Sequence, residues 1–210
     1  YEQLVINCVN ELIDHFADPN QVMLVSEFSS QLPVDVISAI LGMDGDGHLF
    51  RQWVTAMIMG LSGSPELRQK GLDANTAFCS HIAPLLNGVD NPERIDHVAK
   101  IARAEIEGQR LSKEEITAFC GLLFIAGGET TDKAIANMWW NVLTQPDALQ
   151  AIIEDESLWS NAFSETMRRT PAVISEDRFT TRQVEIQGVE IAEGARVRAC
   201  LGSAHLDSSV

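Results

Sequence analysis

The sequence predicts a mainly α fold with a small β element near its C-terminus. Three observations carry that expectation. Apolar residues recur at helical spacing from the start of the chain to about residue 170, period-two alternation appears only after Pro171, and the two textures are segregated rather than interleaved. The 210 residues, 45% of them hydrophobic, suffice for one substantial core and exclude intrinsic disorder. With aromatics at only 6%, that core is expected to be mostly aliphatic. One domain over 1–210 is expected, helical over 1–170 and with short strands over 171–202.

The elements follow in order. Leu4, Val5, Cys8, Leu12, Ile13 and Phe16 form one stripe of a first helix, ended by the turn Ala17-Asp18-Pro19-Asn20. Val22 to Leu32 is apolar-rich, and Pro33 marks the first turn of a helix carrying Val36, Ile37, Ile40 and Leu41 that stops at Gly42. After the loop Met43–Gly47, His48 to Leu61 is helical, with Trp53, Met57 and Ile58 on its apolar side. Ser62-Gly63-Ser64-Pro65 is a break at which Ser64 can cap and Pro65 can open a helix running to about Leu86. Another helix is predicted from Pro92 to about Glu107, then a turn at Gly108-Gln109-Arg110. Ser112 and Glu115 form a capping box. The helix they start can continue to about Leu143, where Pro146 breaks the pattern; at about 1.5 Å per residue it is a rod of roughly 45–50 Å. Shorter helices around Asp147–Asp155 and Trp159–Arg169 follow. Strands then fall at Val184–Gln187, Val189–Ala192 and Val197–Leu201, with turns at Gly188 and Glu193-Gly194.

Charge narrows the function classes. Thirty acidic against 15 basic residues give a formal net charge of −15, which excludes a nucleic-acid-backbone binder and an anionic-membrane binder. Cys8, Cys79, Cys120 and Cys200 are far apart and form no CxxC pair, so they read as free thiols in a reducing compartment. Tyr1 opens on a charged amphipathic segment rather than a signal peptide. The apolar run Ile116–Gly128 is shorter than the roughly 18–20 residues a membrane span needs. A soluble, cytoplasmic protein is the expectation.

Phe124-Ile125-Ala126-Gly127-Gly128-Glu129-Thr130-Thr131, in the middle of the longest helix, carries the most information. Two glycines inside a buried helix each cost about 1 kcal/mol relative to alanine, and the Thr130 hydroxyl can turn back onto the Ala126 carbonyl. Both features predict a local kink or widened groove open to something flat or small. Glu129 and Thr130 place a carboxylate and a hydroxyl beside it, as a proton relay requires. The alternative is that the glycines simply let helices pack closely while Glu129 reaches solvent. Glu165 and Arg168 face each other at i, i+3, a spacing common on solvated helix faces. Arg178 follows a mostly extended stretch, where it can clamp a carboxylate or phosphate, or neutralise Glu176 and Asp177.

In this order and spacing the features resemble the cytochrome P-450 family of haem-thiolate monooxygenases, soluble bacterial type. Ala126–Thr131 resembles its oxygen-binding motif, Glu165-x-x-Arg168 its E-x-x-R helix, and Gln187–Gly194 its G-x-x-I-P-x-G strand–turn–strand. Leu32-Pro33-Val34 to Leu41-Gly42 is similar to its L-P-x-x-V-I-x-x-L-L-G helix, and Arg178 falls where members place an arginine on a haem propionate. The resemblance implies a haem enzyme that activates O2 and inserts one oxygen atom into a hydrophobic organic substrate such as a terpenoid, steroid or fatty acid. Electrons would come from a ferredoxin- or flavodoxin-type donor. It further implies that Thr130 hydrogen-bonds dioxygen at the haem and that Glu129 gates proton delivery. Ala126 and Gly127 leave room over the haem, and Arg178 holds a propionate. Leu122, Ile125 and Val173 line an apolar substrate pocket, while Glu165 and Arg168 are structural.

The family's F-x-x-G-x-x-x-C-x-G loop, which carries the axial cysteine, has no counterpart here; Cys200 lies in Arg198-Ala199-Cys200-Leu201-Gly202, a strand-like setting. Gly202–Asp207 looks like the family's G-S-A-N-R-D with His205 and Leu206 substituted. The resemblance therefore implies an internal fragment, roughly the middle half of a member, with the haem loop expected beyond Val210 and no activity expected of these residues alone. The alternative is a non-catalytic helical ligand-sensing or assembly module. An isoprenoid cyclase would need a D-D-x-x-D site, which is absent, and Asp44-Gly45-Asp46-Gly47 lacks the glycine and glutamate of a calcium loop. No metal site is expected, the five histidines forming no H-x-x-x-H pair.

Overall fold

Ser112 and Glu115 start the longest element. The Ser112 N–H donates to Glu115 Oε2 at 2.8 Å and the Glu115 N–H donates to Ser112 Oγ at 3.2 Å, a reciprocal cap that satisfies two of the donors a helix start leaves open. In this computed structural model, which describes residues 1–210 except Ala17, Pro19, Ser62, Gly63 and Val210, the helix so begun runs from Lys113 to Leu143 without a break. The chain divides into two compact units, Tyr1–Lys133 and Ala134–Val210.

The first unit is helical. Before Lys113–Leu143 (α6) come α1 (Glu2–Asp14), α2 (Leu32–Leu41), α3 (Gly47–Gly60), α4 (Pro65–Ile82) and α5 (His97–Arg103). Gly42 ends α2 in the left-handed conformation, φ 70°, which its lack of a Cβ permits. Asp46 caps α3 by accepting from the His48 N–H at 2.8 Å. Pro65 takes the first position of α4, but Ser64 makes no side-chain cap bond; the rest of that break, Ser62-Gly63, lies outside the described residues, as do Ala17 and Pro19 of the first turn. Val25–Ser29 is a single wide helical turn. The core of this unit is built on Leu41, Phe50, Val54, Phe78, Ile82, Val98, Cys120 and Phe124. It is aliphatic by number, yet its centre is aromatic: Phe78 and Phe124 are fully buried and stack at 4.9 Å. Three of the eight phenylalanines, Phe50, Phe78 and Phe124, are buried there.

The predicted helix from Pro92 to Glu107 is corrected. Asp96 caps a much shorter α5 by accepting from the Ala99 N–H at 2.9 Å. Arg94 fixes the preceding loop, donating to Asp96 through Nε at 2.8 Å and to the carbonyls of Leu85 and Asn87 at 3.0 and 2.6 Å. Beyond α5 the chain reverses at Glu107 and Gly108, φ 53° and 78°, and pairs Glu105–Ile106 (β1) antiparallel with Gln109–Arg110 (β2). Two consecutive positive φ values make a two-residue hairpin turn, one residue earlier than the predicted one. The helix expected to reach Leu86 stops at Ile82 and tightens into one 3₁₀ turn, Ala83–Leu86, at Pro84.

The second unit holds the end of α6, then α7 (Pro146–Glu154), α8 (Trp159–Arg169), strands β3 (Glu176–Phe179), β4 (Val184–Ile186), β5 (Val189–Ile191) and β6 (Arg196–Ala199), and α9 (Leu201–Ala204). Asn137 and Asn141 of α6 each donate 2.8 Å bonds to Thr170 at the end of α8, and Trp139 meets Trp159 edge-on at 5.8 Å. β4 and β5 form the expected hairpin around Gln187 and Gly188, φ 49° and 80°. β3, in a stretch without period-two alternation, pairs antiparallel with β6, Asp177 opposite Arg198. Leu201, expected in the last strand, instead opens α9.

Candidate functional site

The glycine pair of α6 does not interrupt it. A Cβ on Gly128 would meet Val54 at 3.1 Å and Val34 at 3.4 Å, and one on Gly127 would meet Ile37 at 3.5 Å. The missing side chain of Gly128 lets α2 and α3 close against α6, whereas a methyl at Gly127 would make only ordinary contact with α2. The expected widened groove at the glycines is therefore corrected: that side is covered by α2 and α3, and Gly128 serves helix–helix approach. The Thr130 hydroxyl does turn back, donating to the Ala126 carbonyl at 2.7 Å, and the helix accommodates it without a break.

What remains open is another face of the same helix. Phe119, Leu122, Ala126 and Thr130, spaced three and four apart, are all exposed, Leu122 at 60%. The side chains there are apolar or small, with one hydroxyl. Ile125 leaves this stripe; it is half-buried against the core and lines a groove with Met57, Leu61 and Leu72. Glu129 is half-buried in a separate cleft of about 580 Å³ shared with Val34, Arg51, Val54 and Asp132. Thus within the first unit the structure joins Leu122, Ala126 and Thr130, and turns Gly127, Ile125 and Glu129 elsewhere.

Glu129 does not stand alone. Lys133, one turn on, lies 3.4 Å from Glu129 and 3.5 Å from Asp132. Burial pushes the Lys133 ammonium down, but the two carboxylates outweigh it and hold it above the ordinary lysine value. Asp132 in turn accepts from the fully buried Ser29 hydroxyl at 2.8 Å. Helical spacing gives Asp132 only as a charge closing the apolar run and does not single out Lys133 or Ser29. The i, i+4 spacing of Glu129 and Lys133 was the available signal; the Ser29 bond, 103 residues distant, left none.

In the second unit Arg178 is well exposed and donates to Glu176 at 2.8 Å and to the Asp177 carbonyl at 2.9 Å. Asp177 is held by Arg198 through paired bonds of 2.9 and 3.0 Å and by Arg196, contacts that keep its carboxyl far below the usual range. Arg168 grips Glu165 through two 2.7 Å bonds and donates to the His205 carbonyl at 3.2 Å. The pair is thus a bracket for the chain after α9 as well as a helix-face contact. Val173 is half-buried in the extended segment before β3.

The cysteines do not sit on a glycine-rich loop. Cys8, Cys79 and Cys120 are within α1, α4 and α6, and Cys200 is exposed ahead of α9. Burial pushes the Cys120 thiol up to about 11, which suits a packing role rather than a thiolate. Among the described residues no group of three or more His, Cys, Asp or Glu could hold a metal ion, and no helix is long and apolar enough to cross a membrane.

A mainly helical chain with short antiparallel pairs, the Ala126–Thr131 run in its longest helix and the Glu165–Arg168 pair keeps the order of elements and motifs that the resemblance implied. The family pattern described as Cytochrome P450 matches residues 87–210, and the chain belongs to that family. Cytochrome P450 107B1 of Saccharopolyspora erythraea is 32% identical over 200 residues, 94% of this chain and 48% of that protein. The ligand-free structure of cytochrome P450 TbtJ1 superposes with a TM-score of 0.88 at 33% identity, covering 98% of this chain and 55% of that one. P450BioI, solved with an acyl carrier protein ligated to hexadec-9Z-enoic acid, gives 0.90 at 25% identity, covering 100% and 55%. The chain spans about half the length of the relatives it matches. Its kinship is with bacterial oxidoreductases of a family whose members carry haem.

Proposed function

We propose that these residues form part of a haem-dependent monooxygenase that inserts one oxygen atom from O2 into a hydrophobic organic substrate. The observation that carries the reading is the face of α6 on which Leu122, Ala126 and Thr130 stand exposed while Gly128 lets the helix close against α2 and α3. Small and apolar groups beside one hydroxyl suit the face of a porphyrin. The haem would supply the oxygen activation, with electrons from a ferredoxin- or flavodoxin-type donor. None of the four cysteines is in the setting of its axial thiolate.

This chain's own residues then have separable tasks. Thr130, its hydroxyl hydrogen already committed to the Ala126 carbonyl, offers its oxygen lone pairs outward and can take up or relay a proton there. Glu129, in the cleft with Lys133 and Asp132, can hold and pass on a proton from solvent. Ala126 would leave room over the haem, while Gly127 faces Ile37 of α2. Leu122 would exclude water on the exposed face of α6, whereas Ile125 faces its own groove beside Met57 and Val173 lies in the second unit. Arg178 would exchange Glu176 for a propionate. Glu165 and Arg168 are structural.

The test is the reduced, carbon-monoxide-bound spectrum of haem-reconstituted protein that contains these residues within a chain of the relatives' length. A thiolate-type Soret band, with Thr130→Val and Glu129→Gln slowing oxygen transfer while leaving that band in place, is the expected result. Absence of the band contradicts the reading. The 210 residues alone are expected to give none.

A further inference from the structure

The loop Gly42–Gly47 and the helices it joins, α2 and α3, flank an open cavity of about 340 Å³ lined by Asp35, Ser38, Ala39, Met43, Asp44 and Phe50. Two polar groups in it are left short of partners. Ser38 is 5% exposed, and its hydroxyl makes no hydrogen bond. Asp35, one turn earlier on the same side of α2, is half-buried; the one donor to its carboxylate among the described residues is Arg51, whose Nη1 stands 3.4 Å from Oδ1. Gly47 admits that oxygen to the first turn of α3, since a Cβ there would lie 2.8 Å from it. Burial pushes the Asp35 carboxyl up, Arg51 pulls it down and Glu11 of α1 adds to the rise, so the guanidinium does not offset the desolvation. The loop acids differ. Asp46 is committed to the cap of α3 through the His48 N–H, while Asp44 is exposed and lines the cavity. The remaining wall is apolar, with Met43 and Phe50 buried. A native fold keeps such under-partnered groups where something else completes them.

We propose that this cavity binds a primary alkylammonium ion, the ammonium donating to the Asp35 carboxylate and to the Ser38 hydroxyl oxygen, with a short alkyl chain lying along Ala39, Met43 and Phe50. An ammonium carries three N–H donors, enough for both oxygens and a third contact, and Asp44 adds negative charge to the cavity. Water satisfies Ser38 but brings no charge to Asp35. A metal ion asks for more than is present, because among the described residues no three His, Cys, Asp or Glu side chains converge. The net charge of −15 draws cations to the molecule generally. The site uses none of the exposed face of α6 and does not depend on the monooxygenase reading.

The experiment follows amide chemical shifts of the 210-residue chain at pH 8 as n-butylammonium, tetramethylammonium, 1-butanol or potassium is added, for the parent and for Asp35→Asn and Ser38→Ala. Butylammonium should saturate with its largest shifts over residues 35–50. It should bind roughly three- to tenfold tighter than tetramethylammonium, which has the charge without the N–H donors, and butanol, with neither charge nor ammonium donors, should be weakest. Asp35→Asn should bring butylammonium to the level of butanol, and Ser38→Ala should weaken it roughly threefold. Both variants remove a poorly partnered polar group, so their unfolding midpoints should equal or exceed the parent's, and lost binding is then not lost folding. Butylammonium should raise the midpoint of the parent and leave that of Asp35→Asn unchanged. No saturable binding of butylammonium, the result of a cavity that holds water only, would overturn the assignment. So would equal binding of butylammonium and butanol, binding that survives Asp35→Asn, or potassium binding as tightly as butylammonium.

Discussion

Gly127 and Gly128 are adjacent, identical and in the same helix, yet alanine should have opposite effects at the two. Replacing either glycine recovers about 1 kcal/mol of helix propensity. At Gly127 the new methyl would sit 3.5–3.7 Å from Ile37, ordinary contact, so Gly127→Ala should stabilise by about 0.5–1 kcal/mol. At Gly128 it would sit 3.1 and 3.3 Å from the two Val54 methyls and 3.4 Å from Val34, both of which are buried and cannot swing away. Overpacking of that kind costs about 1–3 kcal/mol, which exceeds the propensity gain. Gly128→Ala should therefore lose about 0.5–2 kcal/mol. The assay is urea unfolding followed by circular dichroism. With a slope of about 1–3 kcal/mol per molar urea, the two midpoints should move in opposite directions by a few tenths of a molar or more. Val54→Ala should be less costly in the Gly128→Ala background than alone, because the truncation then relieves the clash. Equal shifts for the two alanine variants, or stabilisation by Gly128→Ala of a full kilocalorie, would show that Gly128 is not there for helix approach.

Two carboxylates should respond oppositely to acid. Burial pushes Asp96 up, but Arg94 and the Ala99 N–H outweigh it and hold the carboxyl below its usual value; its contribution is present above the unfolded-state value and is lost as pH falls through the folded one. Asp96→Ala should cost about 1–2 kcal/mol at neutral pH through loss of the α5 cap and a stranded Arg94, read from the unfolding midpoint, and should flatten the acid limb. Asp35 is raised by burial, against Arg51 and helped by Glu11, so its ionised form disfavours the fold above the folded pKa and that penalty is relieved as pH falls; Asp35→Asn should raise the midpoint at pH 7 and leave it unchanged near pH 3. Thiol titration of the native chain at pH 8 should find Cys200 fast and Cys120, fully buried with its thiol near 11, the slowest until the chain unfolds. Arg168→Ala should free the chain after α9, seen as faster amide exchange over 201–207, with residues 1–133 unchanged.

Much of this was legible locally. The Ser112–Glu115 cap, the unbroken run to Leu143, the stop at Gly42 and the β4–β5 reversal at Gly188 each depend on residues within one or two turns of each other. Short-range chemistry of that kind is written in order along a sequence. The family motifs belong to the same category, since they are fixed spacings within single elements, and they were enough to indicate a cytochrome P450. The helix expected over 92–107 failed for a local reason outweighed by partners elsewhere: Arg94 is spent on the carbonyls of Leu85 and Asn87 and on Asp96, and helical spacing alone does not show that demand.

Tertiary structure decided which way the legible residues point. The sequence placed Ala126, Gly127, Gly128, Glu129 and Thr130 side by side, but a helix turns each residue about 100° from the last. Only Val34, Ile37 and Val54, some 70 to 90 positions earlier in the chain, determine that the glycine side is covered and the alanine–threonine side is left open. The same holds for Ile125, drawn into the groove with Arg68 because Gly60 and Gly71 let α3 and α4 touch. Spacing names the side chains on a helix; the neighbours that pack against it determine which of them can meet a ligand.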